Sequence, residues 1–235
     1  VSSIEWSADG TMLAAVTHSG NVLIYLAEIP KLISVCGNKI AILSSLTEVI
    51  VHLYTLDKDK PEPQIIHTII EPSILAIGPQ HVAVALNNRA LFWNLSAGQS
   101  DRSIHFERDY LSTVESIRLN ETYASVLFDG RIQLHTIKTD PALIKDGKDS
   151  KIFSDSGSTE GKITCHALSS DFLVYGTDMG KIVNFYLEVF NHSTELSHTT
   201  GIKQIFLDDN GTIMCFFDEK QNAYVYDPVN ESTTQ

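Results

Sequence analysis

Helical periodicity is the first thing this chain of 235 residues lacks. No window sustains apolar residues at i, i+3, i+4 and i+7 between capping residues, which argues against a helical bundle. Long apolar runs are missing too. Nothing reaches the roughly 18 residues of a membrane span, and no basic leader precedes an apolar core, so direct membrane insertion is not expected. Basic charge is scarce, with 17 Lys and Arg against 29 Asp and Glu. The formal net charge of -12 gives no field that would gather phosphate backbones, so nucleic acid is not an expected partner. Cysteine is rare: Cys36, Cys165 and Cys215 lie far apart with no C-x-x-C pair, which suits a reducing compartment such as the cytosol better than a disulfide framework.

Catalytic signatures are absent as well. No G-x-S-x-G, G-x-x-x-x-G-K-[ST] or H-E-x-x-H occurs, and no cofactor-binding fingerprint is found. No enzyme activity, cofactor or metal is therefore expected, although a site assembled across several strands at a central channel would escape any linear motif.

What remains is ordinary globular composition, 43% hydrophobic and 20% charged, organised as a repeat. Short apolar stretches rich in β-branched and aromatic residues alternate with turn residues. SIEWSADG, TMLAAVTHSG and NVLIYLAEI fill the first thirty positions as three strokes of one unit. The rhythm returns as PSILAIGPQ, HVAVALNN and RALFWNLS, then as TVESIRLNE, TYASVLFDG and RIQLHTIK. It recurs as KITCHALSS, DFLVYGTDMG and KIVNFYLEV, and as IKQIFLDDNG, TIMCFFDEK and QNAYVYDPV, with a trimmed copy, KIAILSS and TEVIVHLYTL, after the first unit. Units starting near Ser3, Lys39, Ser73, Thr113, Lys162 and Ile202 are spaced by 36, 34, 40, 49 and 40 residues. Propeller blades of the WD type repeat about every 40–45 residues, each as a four-stranded antiparallel sheet.

The expected architecture is thus all-β: a divergent WD40-type β-propeller, one partial domain over residues 1–235 with about six blades visible. The long step comes from Thr139–Gly161, rich in Asp, Lys, Ser and Gly, which reads as an exposed insertion. Asp57–Gln64, with two prolines, reads as a polar connector. Asp9-Gly10, Ser19-Gly20, Asp129-Gly130, Met179-Gly180 and Asn210-Gly211 supply the positive φ of tight hairpins. Five N-x-S/T sequons, beginning at Asn94, Asn120, Asn191, Asn210 and Asn230, would suit a glycosylated protein, but turn-rich β sequences accumulate them by composition.

The most chemical-looking stretch is TCHALSSDFLVYGTDMG, Thr164–Gly180. Adjacent strand residues point to opposite faces, so Cys165 and His166 are expected to pack apart rather than share a metal. His135, His192, His198 and Cys215 are the nearest further ligands, without a spacing that unites them. Asp178 stands where other copies carry Asp129, Asn88 and Glu219, and reads as a turn residue. Aromatics ending the third strokes, Tyr25, Trp93, Phe185, Tyr186, Tyr224 and Tyr226, read mostly as packing between blades. Arg89, beside an exposed loop, and Trp93 are candidate partner contacts, against the plainer reading of Arg89 as a solvated hairpin charge.

Trp93-Asn94 and Tyr226-Asp227 are degenerate forms of the Trp-Asp dipeptide, and the Gly-His that opens typical WD repeats is missing. Ile40–Val49, His81–Trp93, Cys165–Gly180, Asp208–Lys220 and Tyr224–Asn230, in that order, resemble the second propeller of the WD-repeat intraflagellar transport complex A subunit family known as WD repeat-containing protein nineteen. The resemblance spans almost the whole chain; Thr139–Gly161 matches only in position and polar character. It implies a non-catalytic interaction scaffold acting in retrograde ciliary transport, cilium assembly and delivery of membrane-protein cargo. Its implied partners are other complex A subunits, cargo adaptors and ciliary cargo, in the cytoplasm and at the ciliary base and axoneme. Two rivals stand beside it: a vesicle-coat propeller and a propeller hydrolase or lyase. Because the sequence starts at Val1 and stops just after its last unit, it is expected to be an excerpt of a longer protein, lacking at least one blade of a seven-bladed ring and exposing unpaired edge strands.

Overall fold

Successive strokes fold back on one another through the turns that their sequences specify. Gly20 and Gly180 sit at φ 83 and 82, and Asp129-Gly130 has both residues at positive φ, as hairpins with right-handed strand twist require. A computed structural model describes residues 1–27, 31–55, 61–96, 104–137, 141–153, 161–208, 211–227 and 232–234. The helix-poor reading holds, because the described residues contain one short helix among six antiparallel sheets.

The first sheet has three strands, β1 (Ser3–Trp6), β2 (Met12–Val16) and β3 (Val22–Leu26). The other five have four each. The second contains β4 (Ile33–Cys36), β5 (Lys39–Ser45), β6 (Glu48–Leu53) and β7 (Gln64–His67); the third, β8 (Ile74–Ile77), β9 (His81–Leu86), β10 (Arg89–Asn94) and β11 (Phe106–Asp109). The fourth is built from β12 (Ser116–Leu119), β13 (Tyr123–Phe128), β14 (Arg131–Thr136) and, after the helix α1 (Pro141–Lys145), β15 (Ser150–Phe153). The fifth comprises β16 (Ile163–Leu168), β17 (Phe172–Thr177), β18 (Lys181–Tyr186) and β19 (Ser193–Ser197); the sixth, β20 (Ile202–Leu207), β21 (Met214–Asp218), β22 (Ala223–Asp227) and β23 (Ser232–Thr234). Strands follow chain order within every sheet, which is the up-and-down blade of a propeller.

Two expectations change. The copy after the first unit is a complete blade, because Ile33–Cys36 supplies its innermost strand. Thr139–Gly161 is only partly a surface insertion: Ser150–Phe153 pairs with β14 as the outer strand of the fourth sheet, and Phe153 is buried. The rest of Asp57–Gln64 that precedes Pro61 lies outside the described residues, whereas Gln64 already belongs to β7.

Four apolar clusters hold the second to sixth sheets together, one per seam. Because strand side chains alternate, β9 sends Val82 and Val84 toward the second sheet and Ala83 and Ala85 toward the fourth. The same alternation lets β13 serve the third and fifth sheets, through Val126 and Leu127 respectively. Seam five-to-six is filled by Val174, Ile182, Ile202, Ile205, Met214 and Phe216. Apolar strands with both faces buried are therefore the requirement of a stacked arc. None of the four clusters includes a residue of the first sheet.

Candidate functional site

Polar residues buried between apolar blades are the places where chemistry could reside, since an unpaired buried polar group is costly. Among the described residues, three of the buried polar groups that cross or cap a seam combine residue types seen in catalytic sites.

The first contains His166 on β16. Its Nε2 lies 2.6 Å from Ser116 Oγ on β12, and its Nδ1 lies 2.7 Å from Ser125 Oγ on β13. One ring thus joins the fifth sheet to two strands of the fourth. Burial, with the Arg118 charge adding to it, lowers the imidazole pKa to about 3, so the ring is neutral at physiological pH. Cys165, its neighbour, faces the other seam beside Ile202, and burial pushes its thiol up to about 11. The pair points apart as expected, and a buried thiol held protonated is a poor metal ligand.

The second contains His135 on β14. Its Nδ1 is 2.9 Å from the Thr136 carbonyl, an acceptor, so this nitrogen carries the proton. The Tyr110 hydroxyl then donates to Nε2 across 2.8 Å, linking the connection after β11 to the fourth sheet. Desolvation lowers the His135 pKa to about 4 and raises that of Tyr110. Phe92 meets the ring edge-on at 5.8 Å, closing the third-to-fourth seam around it.

The third gathers Thr200, Asp218 and His198, three residue types found in nucleophilic triads. Their arrangement is different. Asp218 is the hub: its Oδ2 accepts from Thr200 Oγ1 at 3.0 Å and from Asn222 Nδ2 at 3.1 Å, and its Oδ1 accepts from the Asn222 amide at 2.8 Å. His198 Nε2 stands 3.6 Å from the same carboxylate rather than against the hydroxyl. A hydroxyl donating to a carboxylate is not poised for deprotonation by histidine, so the set lacks an activated nucleophile. Burial alone would raise the Asp218 pKa; the hydrogen bonds from Asn222 and Thr200, with the His198 ring nearby, outweigh it and hold the carboxyl at about 2. The arrangement fixes the hairpin between β21 and β22 under the connection from β19.

Among the described residues, no three His, Cys, Asp or Glu side chains are grouped to hold a metal ion. Asp178 Oδ1 accepts from the Lys162 amide at 2.8 Å, fixing the entry to the fifth blade as a turn residue. The innermost strands curl around a channel cavity of ≈ 670 Å³ to which Val35, Pro79, Arg118, Ala167 and Ile205 each bring a different sheet. Lys39 spans two blades here by donating to the Pro79 carbonyl.

The two candidate contact residues differ in placement. Trp93 is 2% exposed in the seam between the second and third sheets, so its ring presents no face to a partner. The reason is the register of β10, which sends Leu91 and Trp93 inward on the same side. Arg89 lies at the hairpin end of that strand, half-exposed, with Nη2 2.7 Å from Glu107 Oε2. Of the inter-blade groups, Tyr110, Ser116, Ser125, Thr200 and Asp218 were not legible as sites. The available signal was a polar residue inside an apolar stroke, as in RIQLHTI, without any sign of its partner.

With this geometry in place, the chain matches the family described as WDR19 second beta-propeller over residues 40–235. It is 38% identical over 231 residues to mouse WD repeat-containing protein 19 and 37% identical to the human protein, each alignment covering 98% of this chain and 17% of the relative. WD repeat-containing protein dyf-2 of Caenorhabditis elegans is 28% identical over 243 residues, covering 95% of this chain and 17% of that protein. The chain therefore spans 17% of the length of these relatives. Among solved structures, Kluyveromyces lactis Hsv2 matches with TM-score 0.62 at 11% identity, over 84% of this chain and 58% of that one. The β-propeller domain of Myceliophteria thermophila Cps50 (Swd1) matches with TM-score 0.53 at 12% identity, over 96% of this chain and 65% of that one. At such identities the likeness concerns the fold alone.

Proposed function

Because this chain belongs to the WDR19 second β-propeller family, we propose that it is a non-catalytic interaction scaffold within an intraflagellar transport complex A subunit. In this reading it serves retrograde ciliary transport, cilium assembly and delivery of membrane-protein cargo. Its partners are the other complex A subunits, cargo adaptors and ciliary cargo, met in the cytoplasm and at the ciliary base and axoneme.

The observation that carries the proposal is identity of 37–38% to mouse and human WD repeat-containing protein 19 along 98% of the chain. The buried polar groups agree with it, since His135, His166 and Asp218 each spend their hydrogen bonds on neighbouring strands and connections. Faces consumed in packing leave loops and rims as the binding surface. Arg89, accessible at the rim and held by Glu107, is the proposed contact on the third blade, while Trp93 anchors its strand in the seam.

Affinity purification of the full-length protein is expected to recover complex A subunits, and deletion of residues 40–235 is expected to abolish that recovery and retrograde movement. Normal assembly and transport without the segment would overturn the proposal.

A further inference from the structure

We infer that the channel cavity is a binding site for a carboxylate on an apolar carrier, that the Arg118 guanidinium holds it, and that the carrier is an acidic segment of a partner protein. The last clause rests on the scaffold reading; the carboxylate site does not.

Arg118 is a cation whose charge this chain does not answer. Lys181 pairs with Glu195 at 2.9 Å and Arg89 with Glu107 at 2.7 Å, but Arg118, on the innermost strand of the fourth sheet, has no ion pair among the described residues. Its Nε donates to the His166 carbonyl across 3.5 Å, at the limit of a hydrogen bond. The four N–H groups on its two Nη atoms have no protein acceptor among the described residues. The neighbouring His166 ring offers no negative charge, and both its nitrogens are engaged with Ser116 and Ser125. The side chain lines the cavity and is exposed there, yet burial still lowers its pKa. An anion reaching this partly desolvated cation therefore gains more than it would in bulk water.

The surroundings decide what fits. The cavity of ≈ 670 Å³ lies within the range of ligand pockets, roughly 300–1,000 Å³. Val35, Ala167 and Ile205 give its wall apolar groups from three sheets. Polar groups on the same wall are committed to the fold. Asn120 Nδ2 donates to the Ser169 carbonyl at 2.8 Å, Asn38 Nδ2 to the Tyr54 carbonyl at 3.2 Å, and Lys39 Nζ to the Pro79 carbonyl. The carboxylate on this wall, Asp208, accepts from the Thr212 hydroxyl and the Ile213 amide, each at 2.8 Å. Lys39 and Arg118 against Asp208 give the channel a sign opposite to that of a chain with net charge -12.

Charge and shape together select the ligand. A carboxylate brings two oxygens and one charge to a planar fork. A phosphate dianion brings more charge and more acceptors than one fork on an apolar wall can satisfy. An Asp or Glu flanked by apolar residues supplies both the head and the body that this channel fits, and charge complementarity of this kind gives an interface its specificity.

The test is modification of the full-length protein by phenylglyoxal, which attacks accessible guanidinium groups, followed at Arg118 and at exposed Arg131 by peptide mass spectrometry. Isocaproate, an apolar carboxylate, is expected to slow modification of Arg118 about tenfold at about ten times its Kd, leaving Arg131 unchanged. Isocaproamide should not protect, and assembly into complex A should protect Arg118 without any added acid. No protection by isocaproate, or equal protection by isocaproamide or inorganic phosphate, would overturn the carboxylate site. An Arg118 that is unreactive in the isolated full-length protein would overturn it in favour of a carboxylate from the same chain. Protection by isocaproate with Arg118 fully reactive in assembled complex A would uphold the site and overturn the partner segment in favour of a small free acid. Failure of complex A recovery beside intact protection by isocaproate would count against the scaffold reading and uphold the site.

Discussion

Strands β3 and β10 are the third strokes of their blades, VLIYL and RALFWN, and nothing in their residue types separates a naked strand from a buried one. Yet every residue of β3 is exposed, while Ala90, Leu91 and Phe92 of β10 are fully buried. The contrast teaches that a blade's sequence specifies the sheet and its two apolar faces, whereas burial depends on which neighbours the rest of the chain provides. Hydrophobic free energy follows the area removed from water, at about 25 cal/mol per Å², so equal sequences in these two places contribute unequally to stability.

The largest expected difference comes from truncating matched aromatics. Phe92→Ala removes a ring at the centre of the third-to-fourth seam and is expected to lower unfolding free energy by about 3–5 kcal/mol. Tyr25→Ala in residues 1–235 should change it by less than about 0.5 kcal/mol, as an exposed substitution does. Urea unfolding of both variants, followed by tyrosine and tryptophan fluorescence, measures the gap. Equal losses would break the comparison.

Acid separates the regions next. His135 and His166 have pKa values lowered from 6.5 to about 4 and about 3, so the unfolded chain binds protons that the native seams refuse. Their stabilisation is complete above pH 6.5 and declines as pH falls below it, by roughly 2 kcal/mol per ring at pH 5. In the first sheet the shifted group is Asp9, lowered from 3.8 to about 2 chiefly by the Ser7 hydroxyl and then by Thr11. Its contribution persists above 3.8 and is lost as pH falls through about 2. The urea midpoint of the seam transition should therefore fall between pH 7.5 and 5; an unchanged midpoint would contradict the buried neutral histidines.

Turn glycines sharpen the comparison further. Gly20 and Gly180 occupy the same slot at nearly the same φ, but a Cβ on Gly20 meets open space. On Gly180 it would stand 2.7 Å from the Thr200 carbonyl oxygen and closer still to that of His198. Gly20→Ala is expected to cost only the left-handed backbone, about 1–2 kcal/mol, and Gly180→Ala about 1–3 kcal/mol more from the clash. Thermal melts of the pair would show it, and indistinguishable melts would mean that the connection from β19 does not press on this turn.

The smallest effect belongs to Arg89→Ala. An exposed ion pair with Glu107 is screened by solvent and contributes little net stability, so unfolding should barely change. Loss of complex A recovery without loss of stability would support the proposed contact, and unaffected recovery would remove it.

Three strokes per blade were legible because inner strands are apolar on both faces and end in residues that accept positive φ. The outer strands were not. FERD, SKIF, STELS and STT lie at sheet edges with few apolar anchors, so pattern alone reads them as connector, and β15 was hidden in an apparent insertion. His166 sits inside an apolar stroke, which reads as packing, but its partners Ser116 and Ser125, about fifty and forty residues away in sequence, follow only from blade stacking. Trp93 looked like an anchor because an aromatic at a strand end can face either way, and register alone decides.

The most direct measurement is calorimetric unfolding of residues 1–235 beside a chain beginning at Lys31. The first sheet takes no part in the four seams, so the principal transition should keep its midpoint within about 1 °C when residues 1–30 are removed. A midpoint lowered by several degrees, or failure of the shorter chain to fold, would show that this sheet belongs to the same ring as the other five.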